Sequence, residues 1–236
     1  MTGIFDTFLK KWRLRRNQEE HWKATRYRGP YDPVFRAYAE PKLKLIQNVL
    51  NLEDKSVLDV GCGPGNFTVL LAELAGQVTG CDSSEHMLQK AAELHGMDFR
   101  QGDATNLPFD DDSFDIAFEA NLLHHTDRPK KVLDEMVRVA KSAIVLIEPN
   151  ACNPVMFAFS LLIPAERGGL KSTRSFIESL ARQAGAKIIG HWTTGMISQN
   201  NTPSFLVPML RFFDRDFPFA EYQVLAATLD KEKTSP

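Results

Sequence analysis

Short apolar segments alternate with amphipathic ones along the chain from residue 56 onwards. The apolar segments have the length of buried strands, and we predict strands at 56–60, 77–81, 97–100, 114–119, 143–147, 187–190 and 222–227. The stretches between the first strands repeat their apolar residues at helical spacing, which predicts helices at 67–74, 85–94, 129–140 and 172–184. Strands that alternate with helices indicate right-handed βαβ units. We therefore predict an α/β fold, a Rossmann-like doubly wound sheet that is mostly parallel.

Before the first strand, residues 33–50 show helical periodicity and residues 1–30 form a basic amphipathic arm. The apolar stripe of the arm lies next to a run of Lys and Arg, and it consists of Ile4, Phe5, Phe8, Leu9 and Trp12. Such a stripe has to be buried against something. Two partners suit it: the mouth of the protein's own site, which makes the arm a lid, or the surface of an anionic membrane, which makes it a weak peripheral contact.

Two hydrophobic insertions interrupt the alternation, at about residues 150–170 and 192–220. Their Phe, Leu and Met content favours either a cap that lines an apolar pocket or a contact in a homodimer. The length of 236 residues is enough for one substantial core. We expect a single domain at residues 31–236 that carries both insertions.

Composition excludes several classes of protein. The net charge of −2 gives no electrostatic footprint for nucleic acid. No apolar run reaches the roughly 18–20 residues that span a bilayer, and the N-terminal segment has no signal-peptide pattern. The three cysteines form no CxxC pair, which is typical of free thiols in a reducing compartment. We therefore expect a cytoplasmic protein without a nucleic-acid partner.

The turn after the first predicted strand carries three glycines, Gly61, Gly63 and Gly65, in VLDVGCGPGNFT. Glycine there permits positive φ and lets a ligand lie against bare backbone. A tight strand-to-helix turn is the alternative without a ligand. A dinucleotide site needs G-x-G-x-x-G, but Asn66 stands at the third glycine position. This spacing disfavours an NAD-dependent oxidoreductase.

Acidic residues follow the next two strands. Asp82 can accept hydrogen bonds from both hydroxyls of a ribose. Asp103 can accept from an exocyclic amine, while the backbone N–H of Ala104 can donate to a ring nitrogen. Each aspartate alone can also cap a helix. Together with the glycine turn, they indicate an adenosine-containing ligand.

Four segments in succession resemble the class I S-adenosylmethionine-dependent methyltransferases, above all the small-molecule branch with ubiquinone, menaquinone and sterol methyltransferases. These segments are VLDVGCGPGNFT, GCDSSEHML, GDATNLPFDDDSFDIAFEANLLHH and VLDEMVRVAK, within residues 55–150. The resemblance implies a seven-stranded sheet whose last strand is antiparallel. It also implies S-adenosylmethionine as cofactor, S-adenosylhomocysteine as product and methyl transfer to a small-molecule acceptor. The insertions suggest that this acceptor is apolar or lipid-tethered, and the family precedent favours the lid role of the arm.

The same resemblance assigns cofactor contacts to residues of this chain. Asp59 and the glycine turn surround the methionine part, Asp82 binds the ribose, Met87 packs on the adenine, and the backbone near Glu119 meets the methionine ammonium. The full set of predicted cofactor residues is Asp59, Gly61, Cys62, Gly63, Gly65, Asp82, Ser83, Met87, Asp103, Ala104 and Glu119.

His124 is the candidate catalytic residue, as a base or substrate ligand beside the transferred methyl group. The alternative makes His124 and His125 helix-entry residues that bond to backbone. No further His or Cys lies at ligand spacing, so we expect no metal site. A non-catalytic S-adenosylmethionine-binding protein is the remaining alternative, although every cofactor position holds a chemically competent residue.

Overall fold

The structure is a computed structural model that describes residues 20, 22–94 and 96–231. The apolar stripe of the predicted arm, residues 4–12, lies outside the described residues, and so does its basic run. From residue 22 onwards the chain leads into the helix that precedes the sheet.

Seven strands form one sheet in the order β3-β2-β1-β4-β5-β7-β6. The strands are β1 (Ser56–Val60), β2 (Gln77–Asp82), β3 (Asp98–Gln101), β4 (Phe114–Ala120), β5 (Ala140–Pro149), β6 (Ala186–Thr194) and β7 (Tyr222–Leu229). The pairs among β1 to β5 are parallel, and β7 is antiparallel to both β5 and β6. The predicted fold class is confirmed, including the antiparallel last strand.

Helices cover both faces of this sheet. They are α1 (Pro33–Gln47), α2 (Asn66–Ala72), α3 (Glu85–Ala91), α4 (Pro129–Val139), α5 (Pro154–Leu162), α6 (Arg174–Gln183) and α7 (Val207–Leu210). One apolar core joins α1 and α2 to the sheet through residues such as Tyr38 and Phe118. A second core joins α4 and α6 to the opposite face through residues such as Met136 and Leu146. The strand ends between these two layers are the place where a ligand can bind.

Many apolar side chains of the two insertions are exposed on the surface. Nine of them are exposed: Val155, Phe157, Leu161, Leu162, Phe205, Met209, Phe212, Phe213 and Phe219. The apolar stretch at 154–162 folds as α5, a helix that buries only Met156 and Ser160. Among the described residues, no helix has the length and apolar character that crossing a membrane requires.

Candidate active site

A cavity of about 200 Å³ opens at the carboxyl ends of β1, β2 and β4. Its walls come from the N-terminal segment, the glycine turn, the ends of β2, β3 and β4, and both insertions. The lining residues that carry polar side chains or bare backbone are Thr25, Tyr27, Gly61, Cys62, Gly63, Asn66, Asp82, Ser83, Gly102, Asn121, His125, Glu166, Gln199 and Asn200.

The glycine turn forms one wall of the cavity, and its three glycines have different structural roles. All three have positive φ, at +69° for Gly61, +55° for Gly63 and +82° for Gly65. A Cβ at Gly63 would meet no protein atom within 4 Å, so this backbone is open towards the cavity. A Cβ at Gly65 would instead lie 2.7 Å from Cζ of Phe99. Gly65 is therefore required by packing and does not line the cavity.

Asp82 ends β2 and joins the glycine turn to the start of α3. Its Oδ2 accepts from the backbone N–H of Gly63 at 2.9 Å, and its Oδ1 accepts from that of Ser84 at 2.8 Å. Burial raises the pKa of Asp82 despite these hydrogen bonds. A carboxylate has about four lone-pair positions. Two positions are used by the backbone, so two can accept from hydroxyls of a ligand.

The wall beyond Asp82 is formed by residues that follow β2 and β3. Met87 is buried at 3% exposure and lines the cavity together with Ser83 and Ala104. Asp103 is exposed beside the wall, where its Oδ1 accepts from the backbone N–H and the hydroxyl of Thr105, both at 2.8 Å. Asp103 thus shapes the turn that presents Ala104.

Asp59 lies beneath the glycine turn and does not reach the cavity wall. Its Oδ2 accepts from the hydroxyl of Thr68 in α2 at 2.6 Å, and burial raises its pKa to about 7. This hydrogen bond connects β1 to α2 below the glycine turn. The structure therefore gives Asp59 a supporting position, whereas the sequence had predicted direct cofactor contact.

Glu119 is fully buried at the end of β4. Its Oε2 accepts from the backbone N–H of Leu122 at 3.1 Å, while its Oε1 has no hydrogen-bond partner among the described residues. Burial and the charge of Glu148 raise the pKa of Glu119 well above its ordinary value. Asn121 follows with φ of +59° and donates to the hydroxyl of Tyr38 at 2.8 Å. The wall at this point is formed by Ala120, Asn121 and Leu122.

His124 lies between two carboxylates behind the cavity wall. Its Nδ1 is 2.9 Å from Oε2 of Glu148, and its Nε2 is 3.3 Å from Oε2 of Glu166. Burial lowers the pKa of His124, but the charges and hydrogen bonds of Glu148 and Glu166 raise it to about 10. Both ring nitrogens are engaged, so the predicted role of His124 as a general base finds no support in this geometry. Its neighbours His125 and Glu166 reach the cavity instead.

The N-terminal segment covers the cavity opposite the strand ends. Trp22, Thr25 and Tyr27 line it, and burial raises the pKa of Tyr27 to about 12. The ring of Trp22 meets that of His125 edge-on at 5.8 Å. Asn66, at the position where a dinucleotide site has glycine, donates to the backbone carbonyl of Arg28 at 2.7 Å. That side chain ties the covering segment to the glycine turn.

Of the predicted site residues, seven line the cavity: Gly61, Cys62, Gly63, Asp82, Ser83, Met87 and Ala104. Five lie behind or beside its wall: Asp59, Gly65, Asp103, Glu119 and His124. Sequence reasoning missed Glu166, Gln199 and Asn200, which the insertions supply. These insertions have no regular periodicity, so no pattern in the sequence indicates which of their polar residues face inwards.

The sheet has seven strands, and the last one is antiparallel. A glycine turn after β1 and a carboxylate after β2 face one cavity at its edge. Together these features define a Rossmann-like nucleotide-binding domain. Residues 58–147 match the family model described as a methyltransferase domain. This match confirms, over that part of the chain, the resemblance to methyltransferases seen in the sequence.

Curated relatives are similar over the same region. A demethylmenaquinone methyltransferase of Staphylococcus epidermidis is 37% identical over 124 residues, which are 49% of this chain and 52% of that protein. The protein of the same description from Geobacillus stearothermophilus is 33% identical over 137 residues, with coverages of 54% and 58%. The matched region thus spans about half the length of these relatives.

Solved structures share the fold over most of the chain. A methyltransferase from Thermotoga maritima, described as a possible histamine N-methyltransferase, aligns with a TM-score of 0.63 at 19% identity and covers 83% of this chain and 90% of its own. An S-adenosylmethionine-dependent methyltransferase from Aquifex aeolicus gives 0.60 at 19% identity, with coverages of 84% and 94%. At this identity the likeness concerns the fold alone.

Proposed function

We propose that the protein transfers a methyl group from S-adenosylmethionine to a quinone-like small molecule. The observation that carries this proposal is the cavity itself, where the open backbone of Gly63, the carboxylate of Asp82 and the buried thioether of Met87 follow one another. This order suits the methionine, ribose and adenine parts of one ligand. The names of the curated relatives support the acceptor class.

The residues present fit the cofactor. The two free lone-pair positions on Asp82 accept from the ribose hydroxyls, and Met87 packs against the adenine. The backbone N–H of Ala104 reads the edge of the base, with Asp103 holding that turn. Gly61, Cys62 and Gly63 present backbone to the methionine part, with Asp59 as support from below. The backbone that follows Glu119 faces the ammonium end.

When bound, S-adenosylmethionine supplies a methyl group that a sulfonium has already activated. The task of the chain is therefore to hold an acceptor in line with that methyl group and to exclude water. Trp22 and Tyr27 cover the cavity from the N-terminal side, and an aromatic ring there can stabilise a sulfonium by a cation–π contact. His125 and Glu166 face the polar group of the acceptor. His124 acts through Glu166 as a positioning residue.

Two measurements test this function. Isothermal titration calorimetry should show binding of S-adenosylhomocysteine and no comparable binding of NADH. Transfer of labelled methyl groups should then occur to a short-chain demethylmenaquinol. The control variant Glu93→Gln changes an exposed residue outside the cavity and should behave like wild type in both measurements. Binding of S-adenosylhomocysteine without methyl transfer to any quinol would indicate a non-catalytic S-adenosylmethionine-binding protein. Tight binding of NADH would favour an NAD-dependent oxidoreductase.

A further inference from the structure

Exposed apolar side chains are concentrated on the two insertions. Of the twelve large apolar side chains that are exposed in the described part of the chain, nine belong to the insertions, and we call these nine the apolar surface. Its five phenylalanines are 43% to 79% exposed. At roughly 200 Å² per side chain, these rings alone present on the order of 600 Å² to solvent. The largest apolar patch of a typical monomer measures about 300–600 Å² and often has a function.

Both insertions lie at the end of the sheet where the cavity opens. They follow β5 and β6, which run in the same direction because each is antiparallel to β7. Hydrogen bonds join the two insertions there: Nδ2 of Asn153, just before α5, donates to the carbonyl oxygen of Phe219 at 2.7 Å, and Nδ2 of Asn150 donates to that of Ala220 at 2.8 Å. The apolar surface and the cavity therefore lie at the same end of the molecule.

The acidic side chains of the insertions are engaged within the protein. Glu166 lines the cavity, and its side chain is only 15% exposed. Oδ1 of Asp216 accepts from the backbone N–H of Thr193 at 3.0 Å and from its hydroxyl at 2.9 Å. Asp214 is half-buried beside the buried ammonium group of Lys42. These three are all the acidic residues between 150 and 171 and between 195 and 220.

The basic side chains of the same segments are exposed. They are Arg167, Lys171, Arg211 and Arg215. The guanidinium of Arg215 lies 4.6 Å from the ring centre of Phe212 and donates to the carbonyl oxygen of that residue at 3.2 Å. Cationic groups next to exposed aromatic and aliphatic side chains are typical of a surface that enters the headgroup region of an anionic bilayer.

The distribution of charge distinguishes a membrane from a second copy of the chain as partner. A dimer with two-fold symmetry would place the apolar surface against itself. The four cations of each copy would then meet at one interface, while the acidic side chains of both insertions are already engaged. An anionic bilayer supplies the missing counter-charges, and each Lys or Arg close to it strengthens binding about fivefold.

We propose that the apolar surface docks on an anionic phospholipid bilayer. The phenylalanines enter the boundary between headgroups and acyl chains, and Arg211 and Arg215 contact lipid phosphates. This orientation turns the cavity end of the molecule towards the membrane. Entry of a quinone-like acceptor from the bilayer rests on the proposed function, whereas docking itself does not.

Sedimentation of the full chain with vesicles of phosphatidylglycerol and phosphatidylcholine tests the proposal. Wild-type protein should sediment with these vesicles, and far less with phosphatidylcholine alone or at high salt. Phe205→Ser combined with Phe212→Ser should lower the partition coefficient about tenfold or more, because two exposed rings no longer enter the bilayer. The control variant Val49→Ser with Ile189→Ser removes two exposed apolar side chains outside the insertions and should bind like wild type. Thermal melting shows whether each variant is folded.

Three results would overturn the membrane surface. The first is that wild-type protein does not sediment with anionic vesicles. The second is unchanged binding of the Phe205/Phe212 variant together with loss of binding in Phe8→Ser with Trp12→Ser, which would place the contact on the N-terminal arm. The third is a dimer, seen by analytical ultracentrifugation, that the Phe205/Phe212 variant dissociates.

Calorimetry with S-adenosylhomocysteine in the absence of vesicles separates this outcome from failure of the proposed function. Cofactor binding without vesicle binding rejects only the membrane surface. Vesicle binding without cofactor binding rejects only the methyltransferase.

Discussion

Replacing Asp82 with alanine should weaken the binding of S-adenosylhomocysteine by about 30- to 700-fold. Two oxygens of Asp82 already accept from the backbone N–H groups of Gly63 and Ser84, which leaves two lone-pair positions for the ribose hydroxyls. A hydrogen bond to a charged group contributes about 1.5–3 kcal/mol. Two such bonds, partly replaced by water in the variant, give a net loss of about 2–4 kcal/mol, and 1.4 kcal/mol is a factor of ten.

Isothermal titration calorimetry measures this loss directly. Asp82→Asn keeps one acceptor oxygen, so its affinity should fall between those of wild type and Asp82→Ala. Adenosine should lose affinity by a similar factor, because it contains the ribose and lacks the methionine part. The control is Asp110→Ala, which removes an exposed carboxylate outside the cavity.

Loss of Asp82 also removes the acceptor of two turn N–H groups, so thermal melting has to accompany every titration. An affinity of Asp82→Ala within twofold of wild type, in a variant that still melts cooperatively, would refute the ribose assignment. A loss for S-adenosylhomocysteine but none for adenosine would move the role of Asp82 to the methionine end.

Three further predictions concern stability. Gly65→Ala should lower the free energy of unfolding by about 2–4 kcal/mol, because alanine is strained at φ of +82° and its Cβ meets Phe99. Urea denaturation measures this loss. A change below about 0.5 kcal/mol, the scatter of surface substitutions, would contradict the prediction. Arg138→Met should cost about 1–3 kcal/mol in the same assay, since Arg138 pairs with Glu135 at 2.8 Å and donates to the carbonyl oxygens of two residues on the neighbouring loop. Burial lowers the pKa of Lys42 to about 7 in the folded chain, whereas its ordinary value is 10.5. Between these two pH values the unfolded chain holds a proton on Lys42 and the folded chain does not. The free energy of unfolding therefore rises with pH in this range, by up to about 1.4 kcal/mol per pH unit. Lys42→Met should remove this rise, and an identical pH profile would show that Lys42 does not cause it.

Most of the sheet could be predicted because its strands are short, apolar and separated by amphipathic helices. β1 has the predicted bounds, and the ends of β2 and β4 lie within one residue of the prediction. β5 is longer than predicted, since α4 ends at Val139 and the strand begins at Ala140 with no loop between them. Periodicity cannot mark a boundary where one element leads directly into the next.

The candidate site was predictable only where the backbone requires a particular residue. Gly63 and Asp82 lie at strand ends whose position follows from the strand pattern, and both line the cavity. His124 was expected to face the acceptor, but its surroundings depend on Glu148 in β5 and Glu166 in the first insertion. Such a contact between distant segments is tertiary information. The outward direction of the apolar side chains in both insertions could not be predicted for the same reason.

Arg28 connects the N-terminal segment to two other walls of the cavity. Its carbonyl oxygen accepts from Asn66 at 2.7 Å, its guanidinium donates to the carbonyl oxygen of Thr202 at 3.0 Å, and its backbone N–H donates to Asn200 at 3.4 Å. At about 0.5–1.5 kcal/mol each, three such bonds amount to about 2–4 kcal/mol. If release of a ligand beneath this segment requires these bonds to break, its dissociation rate is about 30- to 700-fold slower than from a cavity without them. Product release, and not methyl transfer, would then set the turnover rate of the enzyme.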